Sequence, residues 1–433
     1  MKFRTFPLSL FLLAAFMLPN SAVYGSEQTL PDYLAEAFAH NDSIQMAEAR
    51  LQAAQQRIRQ NGVLPDPRLG VEYYLESIET RTGPQESAIS LSQTVPWPGK
   101  LSLAKKISQQ DAAISGMQLA AVKLTVASKV KQISVEYNFN LENQKIIEEN
   151  LELLKYLESV ASTRYAGGGL EYGALLKIQV EMAKAEENLR SVRDRVTSIR
   201  TTLNNLLGAD ADTARPQTGI PEILLTMADD RLLETARENN PAILEAAQEI
   251  VKAQLGVDMA NKDFYPDFTF NVKTILTGQA EFGSPPDSGR DPVIAGVSLN
   301  IPLFRDRRHG AMEEKQATLR AMRSNLSQHM RTLETNIEQS LYKYRNGIRS
   351  RDLYRETLLP AVRQQIEVGL EAFQNGRISA PELIDVEKNL LQFTLAEIQA
   401  LADLAIEVAR LEELAGVTLA DWKNDSSQTR RTQ

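Results

Sequence analysis

The chain has 433 residues and a formal net charge of −8, with 56 acidic against 48 basic side chains. This acidic balance argues against nucleic acid or anionic lipid as a partner. The absence of cysteine excludes disulfides, and three widely spaced histidines leave little material for a metal site. We therefore predict neither a cofactor nor a resident metal.

Residues 1–25 have the pattern of a secretory signal peptide. Lys2 and Arg4 precede a short apolar run at 8–18, and small residues before Ser26 suit cleavage there. The apolar run is shorter than the roughly 20 residues that a membrane-spanning helix needs. We expect an exported mature chain that, without cysteine, has no site for a lipid anchor.

The remaining sequence is an internal duplication. We assign a first repeat to residues 26–220, a second to 221–417, and a polar C-terminal tail to 418–433. Five stretches recur in the same order: HNDSIQMAEARLQAAQQRI with NNPAILEAAQEIVKAQLGV, VLPDPRLGVEYYL with DFYPDFTFNVKTIL, SLSQTVPWPGK with GVSLNIPLFRD, RYAGGGLEYGALLKIQ with AFQNGRISAPELIDVE, and NNLLGA with EELAGV. Repeats of this kind predict two copies of one structural plan.

Each repeat is predicted to contain two short helices and a long one. The long helices, near 101–164 and 305–374, are each about 100 Å long. The short ones lie near 31–62, 171–207, 229–263 and 379–415. Apolar residues spaced alternately three and four apart predict a coiled-coil seam: Leu175, Ile178, Met182, Ala185, Leu189, Val192, Val196, Ile199, Leu203 and Leu206. The second repeat shows the same seam, with Glu397 and Glu407 as exceptions.

Four segments of about nine residues alternate apolar and polar side chains between the helices. Their apolar series begin at Leu69, Ile89, Phe268 and Val293. The pattern fits either a half-buried soluble sheet or tilted transmembrane strands. A four-stranded sheet beside long helices leaves unpaired edges, which a membrane forbids. Strands pooled from three protomers would remove those edges, and aromatic residues at the helix–strand corners suit a bilayer interface.

The ordered duplication, TVPWPGKL and NIPLF after the strands, and a glycine turn in both halves together resemble the TolC-type outer-membrane efflux channels. The resemblance covers about Leu30 to Val417. It implies a mainly α fold with a small β part. Long antiparallel coiled-coil helices would form a periplasmic α-barrel, and four transmembrane β-strands per protomer would contribute to a 12-stranded β-barrel in a homotrimer.

The function that this resemblance implies is a passive duct from periplasm to exterior in the outer membrane of a Gram-negative bacterium. Its partners would be a periplasmic adaptor (a membrane fusion protein), an inner-membrane pump of the RND or ABC type, and outer-membrane lipid. The alternative is a periplasmic structural or adaptor-like coiled-coil protein without a pore. The sequence contains none of the enzyme motifs sought, so we predict no enzyme and interpret RDRRH, 305–309, as a solvated collar.

Three glycines interrupt the helical pattern in RYAGGGLEYGALLK. A phosphate-binding loop, a flexible linker and a turn between helices were weighed, and the resumption of the seam favours the turn. The resemblance implies that this turn and its counterpart lie at the periplasmic tip and dock the adaptor. The residues are Gly167, Gly168, Gly169 and Leu170, with Gly376, Arg377 and Ile378 in the second repeat. We expect Leu170 and Ile378 to be exposed apolar contacts.

Glu382 and Asp385 follow the second turn and share a helix face. The resemblance implies that they line the pore constriction, where three protomers would gather six carboxylates and crowding would raise some of their pKa values. The alternative is that they complement the helix dipole in a first turn. The loop 277–291, rich in Gly, Pro, Ser and Asp, is predicted to face the cell exterior.

Overall fold

The computed structural model describes residues 28–225, 227–283, 285–420 and 422, so the signal-peptide prediction and most of the C-terminal tail lie outside the described residues. The helices are α1 (Leu30–His40), α2 (Asp42–Gln60), α3 (Lys100–Ala166), α4 (Tyr172–Leu207), α5 (Asp229–Asn239), α6 (Pro241–Lys262), α7 (Arg305–Asp352), α8 (Leu359–Gln374) and α9 (Ala380–Ala415). The strands are β1 (Arg68–Thr80), β2 (Gly83–Val95), β3 (Phe268–Thr277) and β4 (Val293–Leu299).

Both halves of the chain follow the same order of elements. The single helix predicted at the start of each half is in fact two consecutive helices. Asn41 separates α1 from α2, and Asn240 separates α5 from α6. Each asparagine has extended backbone, and its side chain accepts hydrogen bonds from the N–H groups two and three residues later. Because the asparagine ends one helix and its side chain caps the next, each predicted helix is divided in two at these positions.

The long helix predicted at 305–374 contains a π-helical turn, Leu353–Leu358. Pro360 comes two residues after this turn, lacks an N–H group, and would clash with the carbonyl of Glu356 in a regular α-helix. The wider turn accommodates this proline, and the N–H of Leu359 donates to the carbonyl of Tyr354. The helix α3 contains no proline and runs uninterrupted for 67 residues.

The four strands form one antiparallel sheet in the order β1-β2-β3-β4. Leu69, Leu91, Val272 and Ala295 lie opposite one another on one face, and Gly70, Ser90, Lys273 and Ile294 on the other. The predicted alternation is therefore confirmed, although β1 and β2 have 13 residues each and β4 has seven. Leu75 is 94% exposed and Tyr73 75%, so the apolar face is open in the single chain.

The hydrophobic core consists of separate clusters spaced along the helices. One cluster lies where α1, α3, α4 and α9 meet, and another joins the ends of α3, α4, α8 and α9 near the glycine turns. Six positions of the predicted seam are buried, which confirms it: Leu175, Ile178, Leu189, Val192, Ile199 and Leu203. Among the helices within the described ranges, none combines the length and hydrophobicity needed to cross a membrane.

Candidate functional site at the hairpin tips

Both glycine turns close their helices with the same hydrogen bonds. At the end of α3, Gly169 N–H donates to the Arg164 carbonyl and Gly168 N–H to the Tyr165 carbonyl, both at 2.9 Å. At the end of α8, the N–H groups of Arg377 and Gly376 donate to the carbonyls of Ala372 and Phe373, at 2.8 and 3.0 Å. These paired bonds define the Schellman motif, which confirms the interpretation as turns between helices.

Only one glycine of the first turn needs a left-handed backbone. Gly168 has φ of 73°, as does Gly376, while Gly167 has φ of −82°. Gly167, Gly168 and Gly169 are all exposed. The two extra glycines therefore leave main-chain groups accessible at the tip.

Arg164 joins the two turns, and the sequence analysis did not identify it. One amino group donates to the carbonyl of Phe373 at 2.6 Å, and the other donates to the carbonyl of Gly169 at 3.0 Å. Basic side chains in the last turn of a helix commonly satisfy terminal carbonyls, and this general preference was the available signal. Contact with the second turn depends on the tertiary packing that brings the ends of α3 and α8 together.

The expectation that Leu170 and Ile378 are exposed is wrong. Both are half-buried and pack against the tip cluster that contains Phe373 and Leu383. Their side chains cover the helix ends because apolar groups next to a Schellman turn can fold back onto the preceding helix. The exposed aromatic groups are instead Tyr165 and Tyr172, 44% and 55% exposed, with ring centroids 5.5 Å apart.

Glu382 and Asp385 are both exposed on the first turns of α9. Glu382 forms a capping box with Ser379: its carboxylate accepts from the Ser379 N–H at 2.8 Å and from the hydroxyl at 3.0 Å. These hydrogen bonds lower the pKa of Glu382. Within one protomer, this direction is opposite to the raised pKa expected from ring crowding, and it supports the helix-start alternative for Glu382.

A buried carboxylate that the sequence analysis missed lies behind these two acids. Glu387 is 2% exposed and accepts a hydrogen bond from the Asn150 side chain. Burial raises the pKa of Glu387, and the negative charge of Glu181 raises it further. The hydrogen bond from Asn150 and the positive charge of Lys388 act in the opposite direction but are weaker. Burial by itself would raise the pKa of Glu181. The hydrogen bonds and positive charges of Lys388 and Lys184 outweigh this effect, so the pKa of Glu181 is lowered. The signal in the sequence was weak because Glu387 adjoins the apolar seam without interrupting it.

The face of the sheet opposite the apolar one carries polar side chains. Lys273 on β3 pairs with Glu72 on β1 at 2.7 Å, and the hydroxyls of Thr94 and Thr269 lie 3.1 Å apart. The loop after β3 contacts the β1–β2 turn at the end of the sheet away from the helices. There the Gly289 N–H donates to the Thr82 carbonyl at 2.7 Å.

Side chains of the basic cluster 305–309 form contacts within the protein. Arg308 donates to the carbonyls of Asp263 at 2.7 Å and Phe304 at 3.3 Å, and His309 packs edge-on against Phe264. Within the described residues, no group of three or more His, Cys, Asp or Glu side chains could hold a metal ion.

The fold resembles those of solved outer-membrane channels. VceC from Vibrio cholerae has a TM-score of 0.75 at 19% identity, over 90% of this chain and 96% of that one. CmeC from Campylobacter jejuni has 0.74 at 14%, over 99% and 96%. MtrE from Neisseria gonorrhoeae, solved in its open state, has 0.74 at 14%, over 91% of each chain. A search of curated protein sequences gives no significant match.

A family model described as outer membrane efflux protein matches residues 33–209 and 232–417. Channels of this family form trimers and work in tripartite efflux systems. The match confirms the resemblance inferred from the duplicated sequence and favours the channel over a poreless coiled-coil protein. This chain belongs to the outer membrane efflux protein family, and it is an efflux channel of the Gram-negative outer membrane whose helical part lies in the periplasm.

Proposed function

We propose that three copies of this chain pool their strands into one 12-stranded barrel and form a passive duct from periplasm to exterior. The duct has no catalytic step of its own. Its energy comes from an inner-membrane pump of the RND or ABC type, and a periplasmic adaptor joins the two. The loop 277–291 faces the exterior, because it lies at the end of the sheet remote from the helices.

The observation that carries this proposal is the sheet itself. Within the described residues, the outer edges of β1 and β4 have no strand partner, and the face bearing Leu69 and Val71 is more than two-thirds exposed at those side chains. A lipid environment accepts the apolar face but no unpaired edge, so β1 of one copy must pair with β4 of the next. The opposite face, with Lys273 and Glu72, then lines the water-filled interior.

Two adjacent residues of β4 test which face meets lipid. Val297 aligns with Phe270 on the apolar face, and Ser298 aligns with Thr269 on the polar face. Val297→Lys should reduce stable insertion, because a lysine facing lipid is destabilising, by about 2–4 kcal/mol per copy at the bilayer midplane and by less towards the interface. The matched variant Ser298→Lys should assemble as a trimer and change only single-channel conductance. Equal assembly of both variants would overturn the assignment of the faces.

The adaptor docks on the exposed tip surface that consists of Gly167, Gly168, Gly169 and Arg377 with the Tyr165–Tyr172 pair. Leu170 and Ile378 support this surface from beneath. Arg377→Glu should reduce efflux and co-purification of the adaptor while leaving the trimer intact. Arg363→Glu, also exposed but higher on α8, is the matched control. If both variants retain full adaptor binding, docking occurs elsewhere.

Glu382 and Asp385 form the constriction ring of the assembled channel. Support comes from their exposure on one face of α9 in a chain that forms trimers. Asp385→Asn is the sharper variant, because Glu382 also holds the capping box. Loss of cation selectivity in planar bilayers supports the ring, since rings of acidic side chains attract cations. Unchanged selectivity in Asp385→Asn and in the double variant with Glu382→Gln would reject it.

A further inference from the structure

A belt of stacked aromatic rings marks the periplasmic rim of the sheet. The ring of Trp97 lies 4.9 Å from that of Tyr265 and 5.9 Å from that of Phe268. Phe268 aligns with Val95 and Leu299 on the apolar face of the sheet. Aromatic side chains at the ends of membrane strands lie at headgroup level. The belt therefore places the start of α3 and the end of α6 beside the headgroups of the periplasmic leaflet.

An open cavity of about 390 Å³ lies directly below this belt, between α3 and α6. Its lining residues are Gly99, Ser102, Leu103, Asp258, Asn261 and Lys262. The ammonium group of Lys262 lies 5.7 Å from the centroid of the Tyr265 ring, so the cavity is continuous with the aromatic belt. Gly99 has φ of 97°, a left-handed backbone that favours glycine, and it lies beside the Lys262 side chain.

Two opposite charges face this cavity without neutralising each other. Asp258 accepts a hydrogen bond from Gln254 at 3.3 Å, but neither Asp258 nor Lys262 has an ion-pair partner in the part of the chain that the structure describes. Lys100, one residue from the cavity, differs because it pairs with Asp263 at 3.3 Å and Asp267 at 3.0 Å. Lys262 and Asp258 are half-buried beside the membrane interface, and each can form a further charge-assisted hydrogen bond. They match a ligand that carries one negative and one positive group.

We propose that this cavity binds the headgroup of a periplasmic-leaflet phospholipid that carries both a phosphate and a primary ammonium group. The Lys262 ammonium holds the phosphate, and the Asp258 carboxylate accepts from the lipid ammonium. The acyl chains extend past Leu103 and the Tyr265 ring along the apolar face of the sheet. The charges of the site cancel, which fits a zwitterionic headgroup better than an anionic one.

The test is native mass spectrometry of the full-length assembled protein in detergent, titrated with phosphatidylethanolamine. Lys262→Ala should weaken binding roughly tenfold, the loss expected for one charge-assisted contact. Lys106→Ala is the matched control, since this exposed lysine of α3 does not line the cavity and should leave binding unchanged. Asp258→Asn should weaken binding of phosphatidylethanolamine but not of phosphatidylglycerol, which has no ammonium group.

Equal loss in Lys106→Ala, or no loss in Lys262→Ala, would overturn the site. Displacement of the lipid by millimolar inorganic phosphate would show a free-phosphate site and would also overturn it. Phosphatidylglycerol binding as tightly as phosphatidylethanolamine to the unmodified protein would reject the role of Asp258. Trimer content and single-channel conductance are measured on the same samples, so failure of the lipid site is distinguishable from failure of the proposed channel assembly.

Discussion

Arg164 and Phe373 are joined twice. The guanidinium donates to the Phe373 carbonyl at 2.6 Å, and its Cζ lies 5.1 Å from the centroid of the Phe373 ring. The same carbonyl also accepts from the Gly376 N–H, so the arginine reaches into the hydrogen bonds that close the second turn. The ends of α3 and α8 are thereby fixed to each other within one protomer.

We predict that Arg164→Ala loosens the second turn without unfolding the helices. Loss of a charged hydrogen bond costs about 1.5–3 kcal/mol locally, so amide exchange across Phe373 to Arg377 should accelerate by at least roughly tenfold. Hydrogen exchange with mass spectrometry measures this rate. Arg190→Ala is the control, because Arg190 is exposed and its ion-pair partner in the described part of the chain is Glu187, at 3.8 Å. Unchanged exchange in Arg164→Ala would show that the turn is stable alone.

The capping box at Ser379 predicts a local loss of protection in acid. Backbone and hydroxyl bonds from Ser379 lower the pKa of Glu382 below its ordinary value of 4.5. A lowered folded-state pKa gives stability that is present above pH 4.5 and is lost as the pH falls through the folded-state value. The first turn of α9 should therefore exchange faster at low pH after correction for intrinsic rates.

Ser379→Ala should reduce this pH-dependent step, because the carboxylate loses its hydroxyl partner and keeps only the bond from the backbone N–H of residue 379. The start of α4 serves as an internal control, since its cap residue Glu171 forms no side-chain capping bond. An equal acid-induced loss at α4, or an unchanged step in Ser379→Ala, would contradict the prediction.

Glu387→Gln is predicted to stabilise the protein at neutral pH. Burial raises the pKa of Glu387, so as the pH rises above 4.5 the unfolded chain loses the proton first and folding becomes less favourable. Glutamine stays neutral and can still accept from Asn150. Thermal unfolding should show the variant to be more stable at pH 7 and equal to the unmodified protein near pH 4.

Glu186→Gln, an exposed substitution on α4, is the control and should change neither value. A destabilised Glu387→Gln at pH 7 would mean that the ionised carboxylate is needed, for example through Lys388, and would reverse the sign of the prediction.

Asn41 and Asn240 are predicted to contribute equally to stability. Each caps the following helix, and each donates to a carbonyl in the last turn of another helix: Asn41 to Leu206 at 2.8 Å and Asn240 to Leu414 at 2.9 Å. Replacement of either by alanine removes both contacts and should cost about 1–3 kcal/mol of unfolding free energy. Aspartate keeps the cap but loses the donor, so it should be intermediate in thermal unfolding. Alanine variants as stable as the unmodified protein would contradict this.

The sequence by itself determined the duplicated plan, the long coiled-coil helices, the alternating strands and the glycine turns. These features depend on local periodicity and on backbone freedom at particular residues. Leu175 and Ile178 were assigned to a buried seam by spacing alone, and both are buried. Gly376 was assigned to a turn, and its positive φ fulfils that role.

Only the tertiary structure decided where individual side chains point and which groups they meet. The half-buried positions of Leu170 and Ile378, the reach of Arg164 to Phe373, and the burial of Glu387 against Asn150 all depend on distant segments packing together. The breaks at Asn41 and Asn240 are likewise fixed by contacts with α4 and α9. Periodicity assigns a residue to a face of its own helix, but the neighbours on that face are set by the packing of the whole chain.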